Sequence, residues 1–227
     1  MFKFLVVIFN ILLTPLITTV LLTFALNALS KNDPVYYSGE RLVINSAINA
    51  GLVRQVQAAI ELAKPPITDI QISSHGGDID AAMDLGLIIF KHKLNVYVPH
   101  ICISSCANYI FSAAQNKRLG QHAILAFHGG ANQTSLKKSH LNQTYLETLI
   151  TKEALFFNTI KVQRLITSIG QTQPYNIQGF WDYDLSSLLT LGVHSILIVD
   201  DSEKIIDSKN RGLQTAPFLI TRITDLK

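Results

Sequence analysis

An α/β domain built on a parallel sheet is the fold class this sequence predicts, and two observations carry the prediction. Short apolar runs alternate with stretches of helical periodicity from Arg41 onward. The junctions between them hold the Gly, Pro and small polar residues that turns require. Strands and helices in alternation argue for parallel strands joined by right-handed crossovers.

In chain order, the first feature precedes that domain. Phe4 to Leu29 carries no charged residue, which exceeds the ~20 residues that a bilayer-spanning helix needs. Lys3 and the N-terminal amine lie on one side, and a nearly neutral Lys31-Asn32-Asp33 on the other. The bias of positive charge points the N-terminus to the cytoplasm and the domain outward. A cleaved signal peptide is the competing reading; no Ala-x-Ala ends the run, which favours an uncleaved anchor. Either way the domain is expected on the periplasmic or extracellular side. The expected organisation is thus a membrane anchor or signal segment at 1–32, a polar linker at 33–40 with Pro34 and Gly39, and one domain at 41–227.

Arg41 to Ile44 is a short strand, Asn45 to Gly51 a turn, and Leu52 to Ala63 a helix by its Leu52, Val56, Ala59, Ile60, Ala63 spacing. Pro65-Pro66 breaks it. Asp69 to Ser73 alternates polar and apolar and stops at Ser74-His75-Gly76-Gly77, where two glycines permit a sharp turn or a close backbone approach. Ala81 to His92 has helical periodicity, and Leu94 to Val98 is a strand stopped by Pro99. Cys102-Ile103-Ser104-Ser105-Cys106 forms a small-residue turn, followed by a helix from Ala107 to Ala114 that is apolar nearly all round. Ala123 to Phe127 is a further apolar run that delivers His128 before Gly129-Gly130. Leu141 to Ile169 is expected as a long helix ended by Gly170, Leu185 to Leu191 as a short one ended by Gly192, and His194 to Val199 as the last strand. The tail beyond Ser202 is expected to be peripheral, with an edge strand in Phe218–Ile223.

A serine at a strand-to-helix turn, a histidine ending a later strand and a glycine pair nearby are the ingredients of acyl transfer. Their order, Ser-x-Gly-Gly, helix, strand, serine turn, helix, strand and His, resembles the Clp protease proteolytic subunit and its relatives in the ClpP/crotonase superfamily. Among those relatives are secreted, uncharacterised bacterial members with a Cys-x-Ser-x-Cys turn. The resemblance covers about Arg41 to Asp200 and implies a spiral of βαβ units, here preceded by the transmembrane helix. It implies Ser104 as nucleophile, His128 as general base, and an oxyanion hole from the Ser105 N–H with an N–H of Gly76 or Gly77. His75 stands where the Clp subunit has proline.

Each assignment has a plainer rival. Ser104 could serve as a helix N-cap, the commonest duty of serine there, and Ser105 is the neighbouring competitor. His128 could hydrogen-bond a turn, and His122 lies close but before the strand. The resemblance places the third residue shortly before the helix at Leu185, where Asp182 and Asp184 both stand. Asp184 occupies an N-cap position, so elimination favours Asp182. Cys102 and Cys106 suit small buried packing residues; a disulfide and a Cys106 nucleophile are the alternatives.

The expected activity is therefore that of an exported, membrane-anchored serine hydrolase cleaving peptide or protein substrates, with no cofactor and no metal. Homo-oligomerisation through the long helix is expected by analogy, against a helix packed on its own domain. A crotonase-like acyl-CoA enzyme and a non-catalytic peptide-binding or scaffold protein are the rival functions. A net charge of +3 without an aromatic and basic stripe gives no support to nucleic-acid binding.

Overall fold

The computed structural model describes residues 34–133, 136, 142–207, 221–224 and 226. The uncharged stretch 4–29 lies outside the described residues, and among those described no helix is long and apolar enough to cross a membrane.

Six strands make the main sheet in the order β1-β2-β3-β4-β6-β9. They are β1 Val35–Ser38, β2 Arg41–Ile44, β3 Asp69–Ile72, β4 Asn95–Val98, β6 Lys117–Gly120 and β9 Ile196–Val199. All pairings beyond the β1–β2 hairpin are parallel, as the alternation of strand and helix predicts. Leu42, Ile44, Ile70, Ile72, Val96 and Val98 are wholly buried, filling the core below the helices.

Helices α1 Ala50–Leu62 and α2 Ile79–Lys91 supply the crossovers. Asn49 starts the first by accepting from Leu52 N at 3.0 Å, and Asp78 starts the second by accepting from Ala81 N at 2.7 Å. Each satisfies an N–H that the first helical turn leaves without a partner.

A second layer carries the serine turn. Strands β5 Ile101–Ile103 and β7 Ile124–Ala126 pair in parallel, and α3, Cys106–Phe111, follows β5 with the wide π winding. Strand β8 Trp181–Tyr183 joins β7 through the antiparallel Phe127–Trp181 bridge. On its other side it pairs in parallel with β10, Thr221–Ile223. Helix α4 Gln143–Ile160 packs over α2 and α3, and α5 Leu185–Thr190 follows β8.

Local features depart from these expectations or add to them. Val35–Ser38, inside the stretch expected as linker, is a strand paired with β2 across a turn at Gly39, where φ is +64°. Lys117–Gly120 is a central strand despite its polar start, because the Lys117 ammonium donates to Ala114 O at 2.7 Å and His194 O at 3.1 Å. The long helix stops at Ile160 rather than Ile169. Lys161 turns left-handed at φ +61°, which brings Val162 and Ile166 into the core and lets Gln163 N donate to Leu191 O at 2.8 Å. The described start of the tail, 201–207, is mostly exposed as expected but is tied to the domain through Glu203, which bonds Arg41 at 2.6 Å and Arg118 at 2.8 Å, and Thr221–Ile223 is the strand expected within Phe218–Ile223.

Candidate active site

The serine turn is a strained elbow. Ser104 is a non-glycine residue at φ +55°, a left-handed conformation that costs about 1–2 kcal/mol for a side chain with a Cβ. Two backbone hydrogen bonds hold it there: Ser104 N donates to Ala126 O at 2.9 Å, and Asn108 N donates to Ser104 O at 2.9 Å. The first anchors the elbow to β7 and the second starts α3. Ser104 itself remains partly exposed, whereas Ser105 is buried.

The glycine turn packs directly on this elbow. A Cβ on Gly76, at φ +91°, would stand 2.8 Å from Ile103 O, 2.9 Å from Ser104 Cβ and 3.0 Å from Ser105 N. No side chain fits there. A Cβ on Gly77 would run into Ile48 O, since Ile48 bridges this turn by donating to Gly76 O and accepting from Asp78 N. Ser105 Oγ donates to Gly77 O at 2.9 Å and ties the two turns together.

This geometry chooses between the two glycines. Gly76 N already donates to Ser74 Oγ at 3.1 Å. Gly77 N and Ser105 N have no hydrogen-bond partner among the described residues. Gly77 and Ser105, whose N–H groups are thus free among the described residues, line one pocket with Ser104, and the Ser105 N–H lies at the start of α3.

The histidine arrives on the same cavity. His128, Ser104, Ser105, Gly77 and Gly129 share the wall of a pocket of about 410 Å³ with the apolar Ile79, Leu136 and Leu149 and the polar Asp78, Asp80, Gln133 and Tyr145. Asn108 fixes the His128 backbone from both sides, with Nδ2 donating to His128 O at 3.0 Å and Oδ1 accepting from His128 N at 3.3 Å. Burial pushes the imidazole pKa below its ordinary value, so the ring is neutral at physiological pH.

The connections expected of a full triad are absent. No hydrogen bond joins Ser104 Oγ to the His128 ring among the described residues, and the ring leans against Phe180 with centroids 5.0 Å apart. Asp182 makes no hydrogen bond to the imidazole among the described residues; its buried carboxylate accepts from Arg222 Nη2 at 2.7 Å and from Tyr183 N at 2.8 Å. Asp184 caps α5 by accepting from Ser187 N at 2.8 Å, the structural duty expected of it.

Two supports lay outside the sequence reading. Asn108 is the one strongly polar side chain early in an apolar helix, one turn beyond Ser104, and that mismatch is a usable signal. Glu153, wholly buried, accepts from Tyr109 Oη at 2.6 Å, from Ala131 N at 3.0 Å and from Arg164 Nε at 3.0 Å. It pins the turn after His128, and only the tertiary fold reveals it. The cysteines also depart from the expected packing role: Cys102 and Cys106 form a disulfide, so neither is a free thiol nucleophile.

No protein-family model and no curated protein matches the chain. Among solved structures, a single-substitution mutant of ClpP1 from Listeria monocytogenes is similar, with a TM-score of 0.50 and 16% identity over 71% of this chain and 92% of that one. ClpP1 from the same organism gives a TM-score of 0.48 and 18% identity over 73% and 95%. At these identities the likeness concerns the fold: the chain has a ClpP-like α/β architecture.

Proposed function

We propose that this domain is a serine hydrolase that cleaves peptide bonds through an acyl-enzyme, and that it acts outside the cytoplasm on an N-terminal membrane anchor. The observation that carries the reading is the Ser104 elbow, with the free N–H groups of Gly77 and Ser105 beside it. Ser104 Oγ attacks the scissile carbonyl, those donors take the developing oxyanion, and neutral His128 takes the hydroxyl proton and returns it to the leaving amine. The His128 contact would close on substrate, since catalytic hydrogen bonds are often long in free enzymes. The exposed Leu155 on α4 is suited to self-association of the domain.

A fluorophosphonate probe tests the chemistry: Ser104 Oγ attacks phosphorus, fluoride leaves and His128 takes the proton. Labelling should vanish in Ser104→Ala and His128→Ala and persist in part in Ser105→Ala. Undiminished labelling of folded Ser104→Ala removes the assignment. For location, a reporter fused after Lys227 should work only if it is one that functions outside the cytoplasm. Activity of a cytoplasm-only reporter there overturns the export proposal.

One observation favours a second reading, a non-catalytic peptide-binding protein. Phe180, not a carboxylate, abuts the His128 ring. Failure of the wild type to label, with peptides still bound in the pocket, is the outcome that selects it.

A further inference from the structure

The disulfide closes a five-residue ring around the candidate nucleophile. Cys102 lies within β5, Cys106 opens α3, both side chains are wholly buried, and their Cα atoms are 5.2 Å apart. Ser104, held left-handed, stands midway between them. Three backbone features of the site depend on how β5 meets α3: the Ser104 φ, the aim of the Ser105 N–H, and the winding of α3 that carries Asn108 to His128. A covalent tie across that junction fixes all three together.

Resting on the serine-hydrolase reading, we propose that the Cys102–Cys106 bond is a positioning element that makes the Ser104 site redox-gated. The site is competent with the disulfide formed and impaired with both thiols reduced. The step balances as thiol–disulfide exchange: a dithiol becomes a disulfide by losing two electrons and two protons, and each cysteine sulfur gains one of each. The gate therefore slows the site where thiols are held reduced and restores it where a disulfide-donating oxidant is present. The ring contains the nucleophile and its adjacent donor. Its loss should alter chemistry more than fold.

The test uses the full chain in mild detergent, prepared once with thiols kept reduced throughout and once oxidised, with alkylation under denaturing conditions confirming the state of each. The oxidised form should label with the fluorophosphonate, and the reduced form should label roughly 10–100-fold more slowly, up to the loss seen when one oxyanion donor is removed. The deficit should lie in the maximal labelling rate rather than in probe affinity, the reduced form should keep its thermal transition, and reoxidation should restore the rate. Cys102→Ala/Cys106→Ala should label slowly and ignore reductant. Equal rates in the two redox forms overturn the gate and leave Ser104 as nucleophile. Loss of the folded transition on reduction overturns it in favour of a purely structural staple. Absence of labelling in the oxidised wild type removes the serine reading, and the gate with it.

Discussion

The two halves of the candidate site are built from different materials. The donor half, Gly76-Gly77 against Ser104-Ser105, presents backbone N–H groups, held by the Ile48 bridge, the Ser105 Oγ to Gly77 O bond at 2.9 Å and the disulfide. The base half depends on side chains. Asn108 and Glu153 hold the His128 segment firmly, but the imidazole itself leans on Phe180 and makes no ion pair among the described residues. A site can thus be preorganised for the oxyanion while its proton relay waits for a ligand or works as a dyad. Electrostatic preorganisation is commonly the larger contribution, so on the serine-hydrolase proposal the donor half is expected to matter more for rate.

That contrast is broken or sharpened first at the glycine turn. Gly77→Ala places a methyl group against Ile48 O and must displace the turn. We expect labelling to fall by roughly 10²–10³, the cost of losing one oxyanion donor. Asn108→Ala instead frees the His128 segment and should slow labelling by only about tenfold. It leaves buried His128 backbone groups unpaired, at about 1–3 kcal/mol, and so should lower the thermal midpoint. Kinetics of labelling beside a melting curve for both variants decide the matter. A larger kinetic loss from Asn108→Ala would place the weight on the base half.

How much of this was legible depends on whether a feature is local. Periodicity located α1, α2, β3 and β4, because their buried faces follow 3.6- and 2-residue spacings. The same spacing overran at α4: the residues beyond Lys161 keep an apolar stripe, but they bury it through 3₁₀ turns instead. Lys117–Gly120 was invisible as a strand because a lysine opens it, and only the fold shows the carbonyls that receive that ammonium. At the site, the elbow and the glycine turn announce themselves by residue type. Which glycine keeps a free N–H does not, since that is decided by the Ser74 Oγ bond to Gly76 N. The Asp182 and Asp184 choice rested on elimination. Elimination identified the cap correctly but could not foresee Arg222, forty residues further along, on a strand beside β8.

The aspartates give the next, smaller effect. Asp182→Asn keeps an acceptor for Tyr183 N but loses the ion pair with Arg222, across the β8–β10 pairing. We expect about 1–3 kcal/mol of lost stability, the usual cost of disrupting a buried hydrogen-bonded group, with the labelling rate of the folded fraction within a few-fold of wild type. Asp184→Asn should change neither by much, because asparagine caps a helix about as well as aspartate. Urea titration and labelling together separate the two. A collapse in rate without loss of stability in Asp182→Asn would mean that the carboxylate reaches His128 during turnover, and the base half would then be complete after all.

The smallest effect is a displacement along the pH axis, and it probes the base half without any mutation. His128 accepts a proton only as neutral imidazole, so the rate of labelling must fall as pH drops through its pKa. Burial disfavours the imidazolium and holds that pKa below its ordinary 6.5. A carboxylate on the ring would act in the opposite direction, stabilising the cation and raising the midpoint. The second-order rate of labelling, which reports the free enzyme, should therefore lose its acid limb at a midpoint below 6.5, and Asp182→Asn should leave that midpoint where it is. Repeating the profile for turnover of a saturating peptide asks whether substrate completes the relay: a midpoint that moves up shows a negative group arriving at His128 in the complex. A free-enzyme midpoint above 6.5 would break the comparison, because the acid partner would already be in place before any ligand binds.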